Sequence, residues 1–163
     1  MYKIIVVEDN VRINRHISGI LKKALPSDVN IESAFDGESA LQMAKSGVDA
    51  VITDIRMPKM SGIELITEVK KMFPKVKIVI ISAYEDFKVA QEAIALKVDQ
   101  YLLKPFDDKK MIDIAKGLYT ESMGRESDAI KQALLKTASG VMLQKEEQYT
   151  DIQCQVMLLR FGV

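Results

Sequence analysis

Five side chains in this sequence could do ionic chemistry together if the fold brought them to one place. Glu8 and Asp9 close the apolar run "KIIVVED", Asp54 closes "AVITD", Ser82 closes "KIVIIS" and Lys104 closes "YLLK". Three carboxylates crowded together raise one another's pKa, so they need a cation. An all-oxygen donor set selects a hard ion, and Mg²⁺ typically shares one or two carboxylates with waters and a phosphate. A hydroxyl and an ammonium facing such an ion complete a phosphoryl site: the ammonium neutralises oxygen charge and the hydroxyl donates a hydrogen bond. Each residue also has an ordinary reading on its own. Glu8-Asp9 reads as an acidic pair at a helix N-terminus, Asp54 as a strand terminus before a turn, Ser82 as a cap, and Lys104 as a solvated strand end. Only a shared location separates the two readings, and location is set by the surrounding elements.

Apolar runs and amphipathic segments alternate along the chain. "KIIVVE" (3–8), "DAVIT" (49–53) and "VKIVIIS" (76–82) are short and apolar throughout, as strands buried on both faces are. "VNIESAF" (29–35) alternates like a half-buried strand, and "VDQYLLK" (98–104) supplies a fifth. Residues 11–25 carry Val11, Ile13, Ile17, Ile20, Leu21 and Leu25 at helical spacing and stop before Pro26. A second helix follows Asp36-Gly37 through about Lys45, with Ala40, Leu41 and Ala44 inward. A third runs from Gly62 to Phe73 with Ile63, Leu65, Ile66, Val69 and Met72 on its stripe. A fourth covers 85–96, and a fifth starts near Asp107.

Strands alternating with helices predict an α/β fold, a doubly wound five-stranded parallel sheet with helices on both faces and right-handed crossovers. The spacing fits the flavodoxin-like order 2-1-3-4-5, whose ligand site lies where the order reverses, at the carboxyl ends of strands 1 and 3. Those ends are "VVED" and "VITD", so Glu8, Asp9 and Asp54 converge, with Ser82 and Lys104 on the same rim.

Composition narrows the function classes. The chain has 163 residues, 48% hydrophobic and 28% charged, which suits one globular domain and an additional segment. Lys+Arg and Asp+Glu both number 23, so no overall basic excess argues for nucleic acid. The single Cys154 excludes an internal disulfide and fits a reducing compartment. The N-terminal apolar run is too short for a signal peptide, and no stretch reaches the ~18 apolar residues of a membrane span. A soluble cytoplasmic protein with no membrane partner is expected.

Across residues 2–118 the sequence resembles the receiver domain of two-component response regulators, on "VVEDN", "ITDIRMPKMSGIEL", "ISAY" and "DQYLLKPF" in that order. The resemblance implies that Asp54 accepts a phosphoryl group from a sensor histidine kinase. It implies a Mg²⁺ site of Glu8, Asp9, Asp54 and the backbone carbonyl of Arg56. Ser82 and Lys104 would grip the phosphoryl oxygens, Tyr101 would be the aromatic that turns inward on activation, and Lys104–Pro105 would be a cis peptide. Glu8 stands where Asp is commoner in the family, a longer ligand, and Ser82 where Thr is commoner. The run "SAYEDFKVAQEAIALKVDQYLLKPF" resembles the subgroup that carries an AraC-type helix-turn-helix output domain. DNA contact would then occur only through such a domain, absent here. Homodimerisation is implied through the face made by helix 4, strand 5 and helix 5.

Residues 119–148 read as a polar helical extension with Ile130, Ala133, Leu134, Thr137, Val141 and Met142 on one stripe, either packing on its own receiver or pairing between protomers as a signalling helix. Residues 149–163 read as the start of a further domain or a truncated tail. His16, the only histidine, is expected on the helix surface. The sequence also bears on two rival functions. A Mg²⁺-dependent aspartyl-phosphate phosphohydrolase of the haloacid-dehalogenase type needs an acid two residues after its nucleophile, and that position is Arg56. A flavin- or nucleotide-binding flavodoxin-like domain needs a Gly- or Ser/Thr-rich phosphate loop after strand 1, and "EDNVRIN" is acidic instead.

Overall fold

The structure, a computed structural model, describes residues 1–83 and 87–124. The chain divides into two compact units, Met1–Tyr119 and Thr120–Val163. The sheet and the candidate site belong to the first; the stripe over 130–142 and the segment 149–163 lie outside the described residues.

The elements follow in the order β1 (Lys3–Val7), α1 (Val11–Ala24), β2 (Asn30–Ala34), α2 (Gly37–Ala44), β3 (Ala50–Asp54), α3 (Gly62–Met72), β4 (Lys77–Ser82), α4 (Phe87–Ala95) and β5 (Gln100–Leu103). A fifth helix, α5, covers 108–124. All strand pairs are parallel in the order β2-β1-β3-β4-β5, so the expected flavodoxin-like arrangement is the observed one. The order reverses beside β1, which pairs with both β2 and β3 and leaves the crevice at its carboxyl end.

Side chains alternate across the pleat and divide the core in two. Ile4, Val6, Ala50, Ile52, Val79 and Ile81 face Ile17 and Leu21 of α1 and Met111, Ala115 and Leu118 of α5. Ile5, Val7, Val51, Ile78 and Ile80 face Ala40 and Ala44 of α2, Leu65, Ile66 and Val69 of α3, and Ala93 of α4. Full burial of each such aliphatic chain is worth about 1.5–3 kcal/mol, so both layers press the strands into one register.

Two strand starts share a clamp. Asp49, just before β3, donates its N–H to Lys3 O at 3.0 Å and accepts from Lys3 N through Oδ2 at 2.8 Å. Asp99, just before β5, treats Ile78 the same way, with 2.9 Å to its carbonyl and 2.8 Å from its amide. Each Asp follows a Val and a residue of positive φ, Gly47 (103°) and Lys97 (51°). In the second copy, Lys97 N donates to Ile94 O and Val98 N to Ala93 O, the paired bonds that stop a helix with a left-handed residue. This is why β5 starts at Gln100 instead of Val98.

The buried stripe of α1 also differs from expectation. Asn14, Ile17, Ser18 and Leu21 are buried, whereas Ile13 and Ile20 are only partly so and Val11 is 44% exposed. The helix turns two polar side chains inward, Asn14 toward backbone carbonyls of the strand ends and Ser18 toward the side chains of Asn14 and Ser33.

Candidate functional site

At the end of β1, the ladder with β2 stops at the pair Val7↔Ala34. Glu8 N makes one further bond to Ala34 O at 3.2 Å, so the predicted last strand residue lies just past the regular strand. Glu8 is buried and Asp9 exposed. Asn10 then caps α1, its Oδ1 accepting from Arg12 N at 3.0 Å and Ile13 N at 3.3 Å. Inside the first turns, Asn14 Nδ2 donates to Ala34 O at 2.7 Å, Val6 O at 3.2 Å and Glu8 O at 3.4 Å.

At the end of β3, Asp54 is the last strand residue and half-buried. Its Oδ1 accepts from Ile55 N at 2.6 Å and Arg56 N at 3.4 Å, and Thr53 Oγ1 donates to its carbonyl at 2.7 Å. The chain returns through Lys59 in the left-handed region (φ 68°), and Gly62 N donates to Ile55 O at 2.9 Å. A Cβ on Gly62 would stand 2.1 Å from Asp54 O, so only glycine lets the head of α3 lie against the strand end. Ser61 and Glu64 fix that head with a reciprocal capping box.

From the far side comes Lys104. Its N–H donates to Ser82 O at 2.7 Å, and the following Lys104–Pro105 bond is cis, as expected. Its Nζ donates to Asp54 Oδ2 at 2.6 Å and to Glu8 Oε2 at 2.5 Å, with little of any of the three side chains exposed. Burial pushes the Glu8 carboxyl above its ordinary pKa, opposed by Lys104. Burial alone would lower the Lys104 ammonium, but hydrogen bonds to Asp54 and Glu8 outweigh it and raise the pKa. Ser82 is buried at the end of β4, and Tyr101 of β5 packs partly buried against the layer formed by α2, α3 and α4.

Glu8, Asp9 and Asp54 each bring a carboxylate oxygen within 4.8 Å of the others. Lys104 offsets one of their three charges, and what remains suits a small divalent cation with oxygen ligands. Glu8, Asp9 and Asp54 are therefore gathered on one rim, with the Lys104 ammonium bonded to Glu8 and Asp54 and the buried Ser82 at the end of the adjacent strand β4. His16 lies on the exposed side of α1, as expected, its Nε2 2.7 Å from Asp108 Oδ1. Asn14 and Gly62 escaped the sequence reading as site supports. The signal for Asn14 was a polar residue three before Ile17 on the buried stripe; for Gly62 it was a glycine inside a capping sequence.

Residues 4–116 match the family model described as the response regulator receiver domain. The chain is 31% identical over 137 residues to the uncharacterized transcriptional regulatory protein YesN of Bacillus subtilis, covering 83% of this chain and 37% of that protein. It is 32% identical over 115 residues to the chemotaxis protein CheY of Treponema pallidum, covering 69% of this chain and 78% of that one. Among solved structures it is similar to the N-terminal domain of an uncharacterized protein from Wolinella succinogenes, with TM-score 0.71, 29% identity, and coverage of 77% of this chain and 99% of that chain. The chain spans far less than two thirds of YesN, and the regulatory protein AtoC of Escherichia coli, 31% identical, is covered over only 28% of its length.

Proposed function

This chain belongs to the response regulator receiver domain family, and we propose that Asp54 is the phosphoacceptor of its signalling switch. A carboxylate oxygen of Asp54 attacks the phosphorus of a phosphohistidine on a sensor histidine kinase. The new O–P bond forms as the P–N bond breaks, and the electron pair of that bond stays on the imidazole nitrogen. The product is an aspartyl phosphate. Lys104, already 2.6 Å from Asp54 Oδ2, passes its hydrogen bond to an arriving phosphoryl oxygen. Ser82 donates its hydroxyl to another, and Tyr101 turns toward the space that Ser82 leaves. Mg²⁺ held by Glu8, Asp9, Asp54 and the main-chain carbonyl of Arg56 would supply charge neutralisation during transfer. The observation that carries this reading is the single ammonium shared by Asp54 and Glu8 inside a three-carboxylate cluster.

Transcription is the proposed output, because relatives such as YesN carry the name of transcriptional regulators, and an AraC-type DNA-binding domain is the proposed carrier of it. The chain is also 31% identical over 144 residues to the sensor histidine kinase TmoS of Ectopseudomonas mendocina. No helix among the described residues is long and apolar enough to cross a membrane, and a cytoplasmic location is proposed. Homodimerisation through α4, β5 and α5 is favoured by Ile94 and Leu103, 76% and 37% exposed. Residues 1–118 are proposed as the receiver, 119–148 as a linker or signalling helix, and 149–163 as a further domain's start or a tail. The nucleotide-binding alternative loses ground because Asn10 already satisfies the amides of Arg12 and Ile13.

Incubation with acetyl phosphate and Mg²⁺ tests the function. A lasting adduct of one phosphoryl group per chain is expected, dependent on Mg²⁺. Continuous phosphate release without an adduct would make the protein a phosphohydrolase, and no reaction would remove the phosphoacceptor reading.

A further inference from the structure

We infer that Asn14 is a positioning residue of the acidic site, acting through Glu8 to set its affinity for a divalent cation. This rests on the reading of Glu8 as a cation ligand.

Asn14 is a fully buried amide on the face of α1 that also carries Ile17 and Leu21. A buried amide is costly unless its hydrogen bonds are made, so its place on that face needs a partner set. Three carbonyls supply it: Ala34 at 2.7 Å, Val6 at 3.2 Å and Glu8 at 3.4 Å. They belong to the ends of β1 and β2 and to the residue just beyond β1. The β1–β2 ladder has ended at Val7↔Ala34 and Glu8 N still reaches Ala34 O, so what Asn14 steadies from the helix side is the Glu8 carbonyl.

The orientation of the amide is fixed as well. Ser18 Oγ lies 3.4 Å from Asn14 Oδ1 and 2.8 Å from Ser33 Oγ of β2, so the amide oxygen faces the hydroxyls and the NH₂ faces the strands. The Glu8 carboxylate is held at its other end by Lys104 Nζ and, at 3.4 Å, by Asn10 N. Main chain and carboxylate are thus located independently. A cation that demands near-octahedral oxygen geometry is sensitive to where Glu8 places its oxygens. Replacement of groups that orient metal ligands commonly weakens binding about 10–100-fold.

The test is Mn²⁺ binding, read from the EPR signal of the free ion, in wild type, Asn14→Leu, Glu8→Gln and the double variant. Melting temperatures confirm that each is folded at the assay temperature. Asn14→Leu is expected to weaken binding about ten-fold in the wild-type background and to have no further effect once Glu8 is Gln. Equal affinity in wild type and Asn14→Leu overturns the inference while leaving the cation site standing. An equal loss in both backgrounds also overturns it, because Asn14 would then act on the whole site and not through Glu8. Failure of the wild type itself to bind Mn²⁺ removes the cation site and the inference together. If Asn14→Leu does not fold, Ser18→Ala, which frees the amide to rotate, carries the test: weaker binding supports the inference and unchanged binding overturns it.

Discussion

Lys104 and Asp54, 50 positions apart, meet at 2.6 Å because β3 and β5 flank β4 and end on the same rim. The same ammonium reaches Glu8 of the loop after β1 at 2.5 Å. One cation therefore ties the ends of three strands, and it sits where a phosphoryl group on Asp54 would place its oxygens. The sheet order and the residues just past the strand ends supply this geometry.

Buried Glu8 makes stability depend on pH. Its folded pKa is raised from the ordinary 4.5, so between that value and the raised one the folded state binds more protons than the unfolded. Stability in chelator-treated buffer should therefore fall as pH rises from about 4.5 through the raised pKa. Glu8→Gln should flatten that decline and melt above wild type at neutral pH. Melting temperatures across the pH range check this, and a wild-type profile that rises through the window would contradict it.

Two glycines should respond in opposite directions to alanine. Gly62→Ala pushes a methyl to 2.1 Å from Asp54 O and should cost about 1–3 kcal/mol by forcing backbone apart. It should also slow phosphorylation, since Asp54 moves with its carbonyl. Gly19 in α1 has open space around its Cβ position, and Gly19→Ala should gain about 0.5–1 kcal/mol. Denaturant unfolding of both variants reads the two signs directly.

Lys97 at φ 51° pays a backbone cost that Gly47 avoids at the matching position before β3. Lys97→Gly should stabilise by about 0.5–1 kcal/mol, less than the full left-handed penalty because glycine is freer when unfolded. Asp99→Ala should destabilise by about 1–3 kcal/mol, since Ile78 N loses its acceptor and Lys77 its 2.7 Å partner. Chemical denaturation of each variant against wild type is the check.

The fold and the rim of the site could be read from sequence because both rest on strong periodic signals. Apolar runs ending in Glu8, Asp54, Ser82 and Lys104 place those residues at strand ends, and the alternation with helices fixes their common rim. What could not be read depends on tertiary partners. Asn14 breaks the apolar stripe of α1, and nothing local reveals the carbonyls of Val6 and Ala34 that receive it. "VDQYLLK" reads as a strand from Val98, yet Val98 belongs to a helix stop, because its N–H bonds back to Ala93 O. Gly62 reads as a helix start, and only the folded approach of Asp54 O shows why a side chain is excluded.

Ser82→Ala should separate phosphate acceptance from response. The phosphoryl group can bias the switch only through contacts that differ between its two states. Without the hydroxyl, Ser82 has no hydrogen bond to give the phosphate, and Tyr101 loses its cue to move. Labelling by acetyl phosphate should persist, while the change in Tyr101 ring resonances on addition of beryllofluoride should shrink. A full response in Ser82→Ala would remove this coupling.

The central claim is that Asp54 carries the phosphoryl group, and chemical trapping of the acyl phosphate tests it most directly. After acetyl phosphate treatment with Mg²⁺, borohydride reduction turns an aspartyl phosphate into homoserine, which peptide mass mapping locates. Homoserine should appear at position 54 in wild type and nowhere in Asp54→Asn, whose amide oxygen can still accept from Ile55 N and keep the fold. Homoserine at Glu8's neighbour Asp9, or adduct formation that survives in Asp54→Asn, would contradict the account.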